Sequence, residues 1–287
     1  MTYSSFGSTA VAAATLAAAP YIHRIGQLDV RLATSEEEIR AAQALRYDIF
    51  YNEMGASPTA EMERYRLDID AYDSICDHLL VIDHGTDGEP HVVGTYRLLR
   101  QLVAQQHRGF YSSGEYDLSP LLDLRFQDKI GAGRQLLELG RSCVAKPYRN
   151  NATIQLLWRG IATYLQTHSI GYMFGCASLH GTDPDEHKVA LSYLYHNHLV
   201  PADLRVRALP EHYVPMDRLP IGAYDTREAL KALPPLIKGY LRTGCMIGDG
   251  AFIDRQFNTV DVFILLPVEG ITQRYSERFQ VSANDIG

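Results

Sequence analysis

Glu138 and Arg141 stand three residues apart in the stretch Leu137-Glu138-Leu139-Gly140-Arg141-Ser142-Cys143-Val144. A carboxylate and a guanidinium inside an apolar strand are costly to bury unless they are paired or used. Used, the carboxylate is a general base whose pKa desolvation lifts toward the working range. Paired, the two are a structural ion pair, and both readings stay open here. Residues three apart on a regular strand point to opposite faces. To serve one site the strand must bulge, and Gly140 between them permits it. From Leu139 to Thr182 there is no Asp or Glu, but Arg141, Lys146, Arg149 and Arg159 are present. A purely cationic stretch beside a buried acid suits a site that receives an anionic donor and activates a nucleophile.

Asp68-Ile69-Asp70-Ala71-Tyr72-Asp73 is a second cluster. It is not a calcium loop, because the sixth position is Asp73 instead of Gly and the twelfth is Leu79 instead of Glu. Either it is a solvated acidic loop, or it recognises a cationic substrate with Arg46 and Arg97 as counter-charges. A third element, Arg149-Asn150-Asn151-Ala152-Thr153, offers a cation and a helix start, where backbone N–H groups bind phosphate. His196 and His198 point different ways on a helix, and His180 and His187 lack partners at ligand spacing, so no metal site is expected. There is no G-x-S-x-G, P-loop or dinucleotide fingerprint.

Positioning these residues falls to alternating strands and helices. Leu28 to Ala33 is a short strand. Ser35-Glu36-Glu37-Glu38 then caps a helix whose apolar face runs through Ile39, Ala42, Leu45, Ile49 and Phe50, with Arg46 beside it. An acidic irregular stretch, 61–77, precedes strands His78 to Asp83 and Val92 to Leu99, joined by a turn at Gly85-Thr86-Asp87-Gly88. The region 101–134 mixes a short helix with loops. Strand 136–144 leads through Lys146-Pro147-Tyr148 into a helix from Asn150 to Thr167, striped by Ile154, Leu157, Trp158, Ile161 and Leu165. Gly171 to Ser178 is a buried strand, and a helix from Pro184 runs to His198. A strand follows at 205–209. A helix over 227–243, broken at Pro234-Pro235, precedes a turn at Gly248-Asp249-Gly250 and a last strand, Val260 to Val268. The sum is mixed α+β with a strand–loop–helix unit at its centre. One domain spans 28–268, after an N-terminal arm (1–27) and before a C-terminal tail (269–287).

The net charge of −7 argues against general nucleic-acid binding. The four cysteines are scattered without a C-x-x-C, as expected of free thiols in a reducing cytosol. No stretch is apolar enough to span a bilayer. The Ala-rich run 9–19 has no basic residue before it and reads as an arm or weak helix rather than a signal peptide. A cytoplasmic protein is expected, with peripheral contact at the inner membrane left open.

Strand, Arg-led loop and helix together resemble the core of the GNAT acyltransferase fold, in which the loop grips pantetheine pyrophosphate. Against its Q/R-x-x-G-x-G/A pattern, Arg149 fits the first position, while Ala152 and Ile154 replace glycines. A donor with a single phosphate, acyl carrier protein, therefore fits better than coenzyme A. The N-terminal half resembles the acyl-homoserine-lactone synthases: Arg46 and Phe50 on the first helix, Asp68, Asp70 and Asp73 for E-x-D-x-x-D, Arg97, and Glu138 with Arg141 for E-x-x-R. It departs from them in lacking their tryptophan after that helix and in extending further. That extension, Leu233-Pro234-Pro235-Leu236-Ile237-Lys238-Gly239-Tyr240-Leu241-Arg242 with Asp254 and Thr259-Val260-Asp261-Val262-Phe263, resembles the bacterial L-ornithine Nα-acyltransferases. The resemblance covers about residues 28 to 268.

It implies transfer of a 3-hydroxyacyl group from the phosphopantetheine of acyl carrier protein to the α-amine of L-ornithine, the first step of ornithine lipid synthesis, with no bound cofactor or metal. Glu138 would be the base. Arg141 would orient it or bind the substrate carboxylate, and Arg46, Phe50, Asp68, Asp70, Asp73 and Arg97 would form the acceptor site. Backbone N–H groups at Val144 and Ala145 would hold the oxyanion, and Lys146, Arg149, Asn150, Asn151 and Arg159 would receive the donor. Rival readings are a lactone synthase, a glutamine or lysine acyltransferase, and a non-enzymatic module that binds acyl carrier protein. An apolar tunnel opening beside Glu138 favours an enzyme; a filled core there favours the module.

Overall fold

The computed structural model describes residues 22–85 and 89–269. The Ala-rich run, most of the expected arm and tail, and the tip of the turn at 85–88 lie outside them. The strands are β1 (His23–Ile25), β2 (Leu28–Leu32), β3 (Asp77–Asp83), β4 (His91–Arg100), β5 (Tyr116–Asp117), β6 (Gln135–Val144), β7 (Ile170–His180), β8 (Arg207–Ala208), β9 (Met246–Asp254) and β10 (Thr259–Pro267). They form one sheet in the order β1-β2-β3-β4-β6-β7-β10-β9-β8-β5. β1 draws the folded chain back to His23, into the segment expected as an arm, by pairing with β2.

The helices are α1 (Glu36–Tyr47), α2 (Ala60–Tyr65), α3 (Gln101–Gln106), α4 (Ser119–Leu122), α5 (Leu124–Ile130), α6 (Asn151–Thr167), α7 (Lys188–His198), α8 (Thr226–Ala232) and α9 (Pro235–Arg242). Ser35 caps α1 and Asn150 caps α6, each accepting from the N–H three residues on. Among the described residues no helix is long and apolar enough to cross a membrane.

The register sorts side chains to two faces. Leu99, Glu138, Phe174 and Leu265 are directly opposite one another across β4, β6, β7 and β10 and so share one face. By alternation Cys176, Ser178, Asp261 and Phe263 lie there too. The segment 101–134 covers this face through Phe110, Leu121, Phe126 and Ile130. Leu137, Met173, Ala177 and Val262 point to the other face, packed by α6 through Leu156, Ile161 and Tyr164 and by α9 through Ile237 and Tyr240.

Four departures from the sequence expectations have local causes. Ala60–Tyr65 is a helix inside the acidic stretch, capped by Thr59, and it buries only Met62, too little for a periodicity to register. α7 starts at Lys188 instead of Pro184, since Asp183 Oδ1 accepts from Asp185 N and holds a turn first. On α6, Ile154 points outward and Gly160 inward, because a Cβ at 160 would stand 2.9 Å from Val30 Cγ2 and only glycine lets the helix approach β2. Gly248-Asp249-Gly250 is no turn between elements but a bulge inside β9, with its three residues facing Phe263 alone on β10. Gly250 has φ +85° and sits under the Tyr213 ring, so two glycines that read as punctuation serve backbone approach.

Candidate active site

β6 and β7 are paired only over Gln135–Glu138 against Ile170–Phe174. Beyond that they part. Gly175 permits the close approach just before the gap: a Cβ there would stand 2.3 Å from Leu139 O. The expected bulge in β6 is present, but at Arg141 rather than Gly140. Arg141 and Ser142 together face Tyr96, and Arg141 itself takes the left-handed conformation at φ +51°. The bulge re-aims the guanidinium without a glycine at the strained position.

A cavity of about 650 Å³ passes through the gap. On one face of the sheet it is lined by Glu138, Glu115, Asp261, Ser112 and Cys176; on the other by Tyr96, Trp158, Ile161, Met173, Ile264 and Leu266. Glu138 is 5% exposed. Its Oε2 accepts from Tyr111 N and its Oε1 from Ser112 N, each at 2.7 Å. Burial pushes its pKa up, against those amides and the Arg97 guanidinium, which favour the anion. The Ser112 side chain also favours the anion, and a carboxylate has about four lone-pair directions, so acceptor capacity remains for an incoming donor.

Glu138 and Arg141 do not pair with each other. Arg141 lines the cavity between the rings of Tyr111 and Phe257, 4.9 and 4.4 Å from their centroids. It also lies 3.3 Å from Asp68 Oδ2 and from Asp70 Oδ2. Phe50 packs edge-on against Phe257, brought there by a π-helical stretch, Asp48–Glu53, that continues α1.

The acidic trio and its arginines come together, but around one another. Arg46 is 0% exposed, with Nε 2.7 Å from Asp68 Oδ2 and Nη2 2.8 Å from Asp73 Oδ1. Arg97 Nη1 is 2.7 Å from Asp70 Oδ1. Burial would raise the Asp73 pKa, but the Arg46 and Arg97 guanidiniums hold it below the usual carboxylate range. Asp68, Asp70 and Asp73 are absent from the cavity wall. Facing one another, the three aspartates and three arginines tie α1, the 68–73 loop, β4 and β6 together.

The expected donor surface is also partly spent. Arg149, at the cavity wall, pairs with Glu53 through both terminal nitrogens at 2.5 and 2.8 Å and donates to Val144 O. Asn150 caps α6, Asn151 opens it, and Lys146 is exposed. Arg159 lies away from the cavity, beside His23 of β1. Ala145 N donates to Val93 O at 2.8 Å and is not free for an oxyanion. Val144 is the next residue along the same antiparallel ladder, so its N–H points to the other edge of β6, into the gap.

Sequence reasoning missed Tyr111, Ser112 and Glu115, which sit in an unpatterned loop, and gave Asp254 and Asp261 no role. A charge in the apolar run Thr259-Val260-Asp261-Val262-Phe263 is the same signal that singled out Glu138. Among the described residues no group of three or more His, Cys, Asp or Glu is placed to hold a metal ion.

A family profile described as an acetyltransferase (GNAT) domain matches residues 45–159, the stretch from the end of α1 to the middle of α6. The chain is 49% identical over 254 residues to an L-ornithine N(alpha)-acyltransferase of Agrobacterium fabrum strain C58, covering 88% of this chain and 85% of that protein. It is 50% identical over 264 residues to the enzyme of the same name from Brucella abortus strain 2308, covering 91% and 92%. Among solved structures, the acyl-homoserine-lactone synthase LasI matches 84% of this chain and 90% of its own at 13% identity and a TM-score of 0.41. The mixed sheet with its parted parallel strands is thus a GNAT-type acyltransferase fold, and at this level of identity over nearly its whole length the chain belongs to the L-ornithine N(alpha)-acyltransferase family.

Proposed function

We propose that this protein transfers a 3-hydroxyacyl group from the phosphopantetheine thioester of acyl carrier protein to the α-amine of L-ornithine, giving a lyso-ornithine lipid. The observation that carries the reading is the cavity that passes through the sheet, with carboxylates beside Arg97 and Arg141 on one face and apolar side chains on the other. An amino acid suits the first half and an acyl chain the second, so amine and thioester meet in the gap between β6 and β7. The names of the relatives support the acceptor. The crowded start of α6, with Ala152 and Ile154 where a pyrophosphate loop would have glycine, supports a carrier-protein donor.

Glu138 takes a proton from the ammonium, and the freed nitrogen attacks the thioester carbonyl. The C–N bond forms while the Val144 N–H steadies the oxyanion. Collapse breaks the C–S bond, and the nitrogen gives up its second proton as the amide forms; one of the two protons passes through Glu138 to the departing thiolate and the other is released to solvent. Arg141 receives the acceptor carboxylate, and Lys146 contributes to attracting the acidic carrier protein.

Mass spectrometry of products from 3-hydroxyacyl carrier protein and a mixture of ornithine, lysine, glutamine and homoserine as acceptors tests the proposal. Nα-(3-hydroxyacyl)ornithine should dominate. A dominant lysine or glutamine product replaces the acceptor, and no acyl amino acid at all leaves a binding module.

A further inference from the structure

With Asp68, Asp70 and Asp73 spent on arginines, the cavity still holds carboxylates outside any ion pair of the described residues: Glu115, Asp254 and Asp261 beside Glu138. Acids gathered in this way would not by themselves make a site. Asp261 supplies the second observation. It is 7% exposed, it lines the cavity, and its Oδ1 is buried with no hydrogen-bond partner. A buried acceptor left unpaired costs about 1–3 kcal/mol, more when charged, which a donor arriving with the ligand would remove.

Glu115 is 8% exposed, and its Oε2 accepts from the Cys176 thiol at 3.3 Å. The same sulfur lies 3.8 Å from Ser112 Oγ, and Ser112 N holds Glu138 Oε1. Glu115 therefore stands one thiol and one serine away from the proposed base. Asp261 is opposite Ser178 in the ladder, one step past Cys176 on the same face. Asp254 is engaged at Oδ1 by Phe257 N. Burial pushes Glu115 to about 8 and Asp261 to about 6, and neighbouring carboxylates raise each further, against the Cys176 thiol at Glu115 and the Ser178 and Thr259 hydroxyls and the Arg141 guanidinium at Asp261. Such mutual repulsion is relieved by a bound cation.

Resting on the acyl-transfer reading above, we propose that Asp261 and Glu115 form the subsite for the side-chain ammonium of the acceptor. They select a cationic amino acid while Glu138 serves its α-amine. Acceptor choice is then set by β10 and the 111–117 loop, not by the Asp68–Asp73 segment.

The test compares L-ornithine with L-norvaline, the same carbon chain without the side-chain amine, on the full chain. Calorimetric binding without donor and kcat/KM with 3-hydroxyacyl carrier protein are both measured. The unaltered protein should favour ornithine in both by about tenfold or more. D261N, and independently E115Q, should shrink that ratio by about tenfold, chiefly through ornithine's Kd and KM. Near-UV circular dichroism shows that each variant is folded, and E115Q carries the test should D261N fail to fold. No preference in the unaltered protein, or an undiminished ratio in folded variants, overturns the subsite. Selective ornithine binding without any acyl product supports the subsite and sinks the acyl-transfer reading alone.

Discussion

Glu138 is buried enough to hold its proton more readily than a free carboxylate, yet two backbone amides keep it oriented toward the gap. Glutamine preserves its size and removes its basicity. E138Q should lower kcat by about 10²–10⁴ with little change in KM; steady-state kinetics at saturating carrier protein decide it, and near-normal turnover would remove Glu138 from the role. Arg46 makes a contrasting case. It does not reach the cavity, and its guanidinium faces two buried aspartates. R46M removes their nearest counter-charge, leaving only the longer contacts from Arg141 and Arg97, and should cost about 3 kcal/mol of stability, read from urea unfolding. The sequence pointed correctly to both residues as unusual. It could not tell base from brace, because both carry the same signal of charge in an apolar element.

At the scale of elements, the site is made by two irregularities in adjacent strands. The bulge at Arg141 turns one side chain of β6, and the parting of β6 from β7 opens the sheet. Gly175 lets the backbones come close immediately before the gap. G175A places a methyl 2.3 Å from Leu139 O, so β6 and β7 must slide or spread. The expected loss is about 1–3 kcal/mol in thermal unfolding, together with reduced kcat as the gap changes width. Unchanged stability and turnover would mean the strands move freely there. The need for a bulge was legible from the spacing of Glu138 and Arg141. Its position was not, since Gly140 advertised flexibility that the chain used one residue later. The glycines in β9 misled in the same way, because a close backbone approach and a turn draw on the same residue.

For the whole molecule, the buried carboxylates set the pH dependence of stability in two opposed ways. Asp73 has a lowered pKa when folded, so its contribution is complete above about pH 4 and lost as pH falls below that. Glu115 is raised to about 8, whereas the unfolded group ionises near about 4.3. Between those values the unfolded chain binds fewer protons, and stability declines as pH rises. E115Q should therefore raise the thermal midpoint more at about pH 8 than at about pH 5. Calorimetry at both settles it, and equal shifts would show that the Glu115 proton is not linked to folding.

The order of most elements, the α+β class and the unusual placing of charge at Glu138, Arg141 and Arg46 were legible in the sequence, because periodicity, caps and a charge in an apolar run are local properties of the chain. Which acids face the cavity was decided only by the tertiary structure. Asp68, Asp70 and Asp73 look like a binding motif until Arg46, Arg97 and Arg141, drawn from α1, β4 and β6, arrive to neutralise them. Glu115 and Asp261 look unremarkable until strand pairing sets them in one buried wall, outside any ion pair of the described residues. Whether a charge is free depends on its partners, and the partners here lie up to about seventy residues apart in the chain, as Asp70 and Arg141 do.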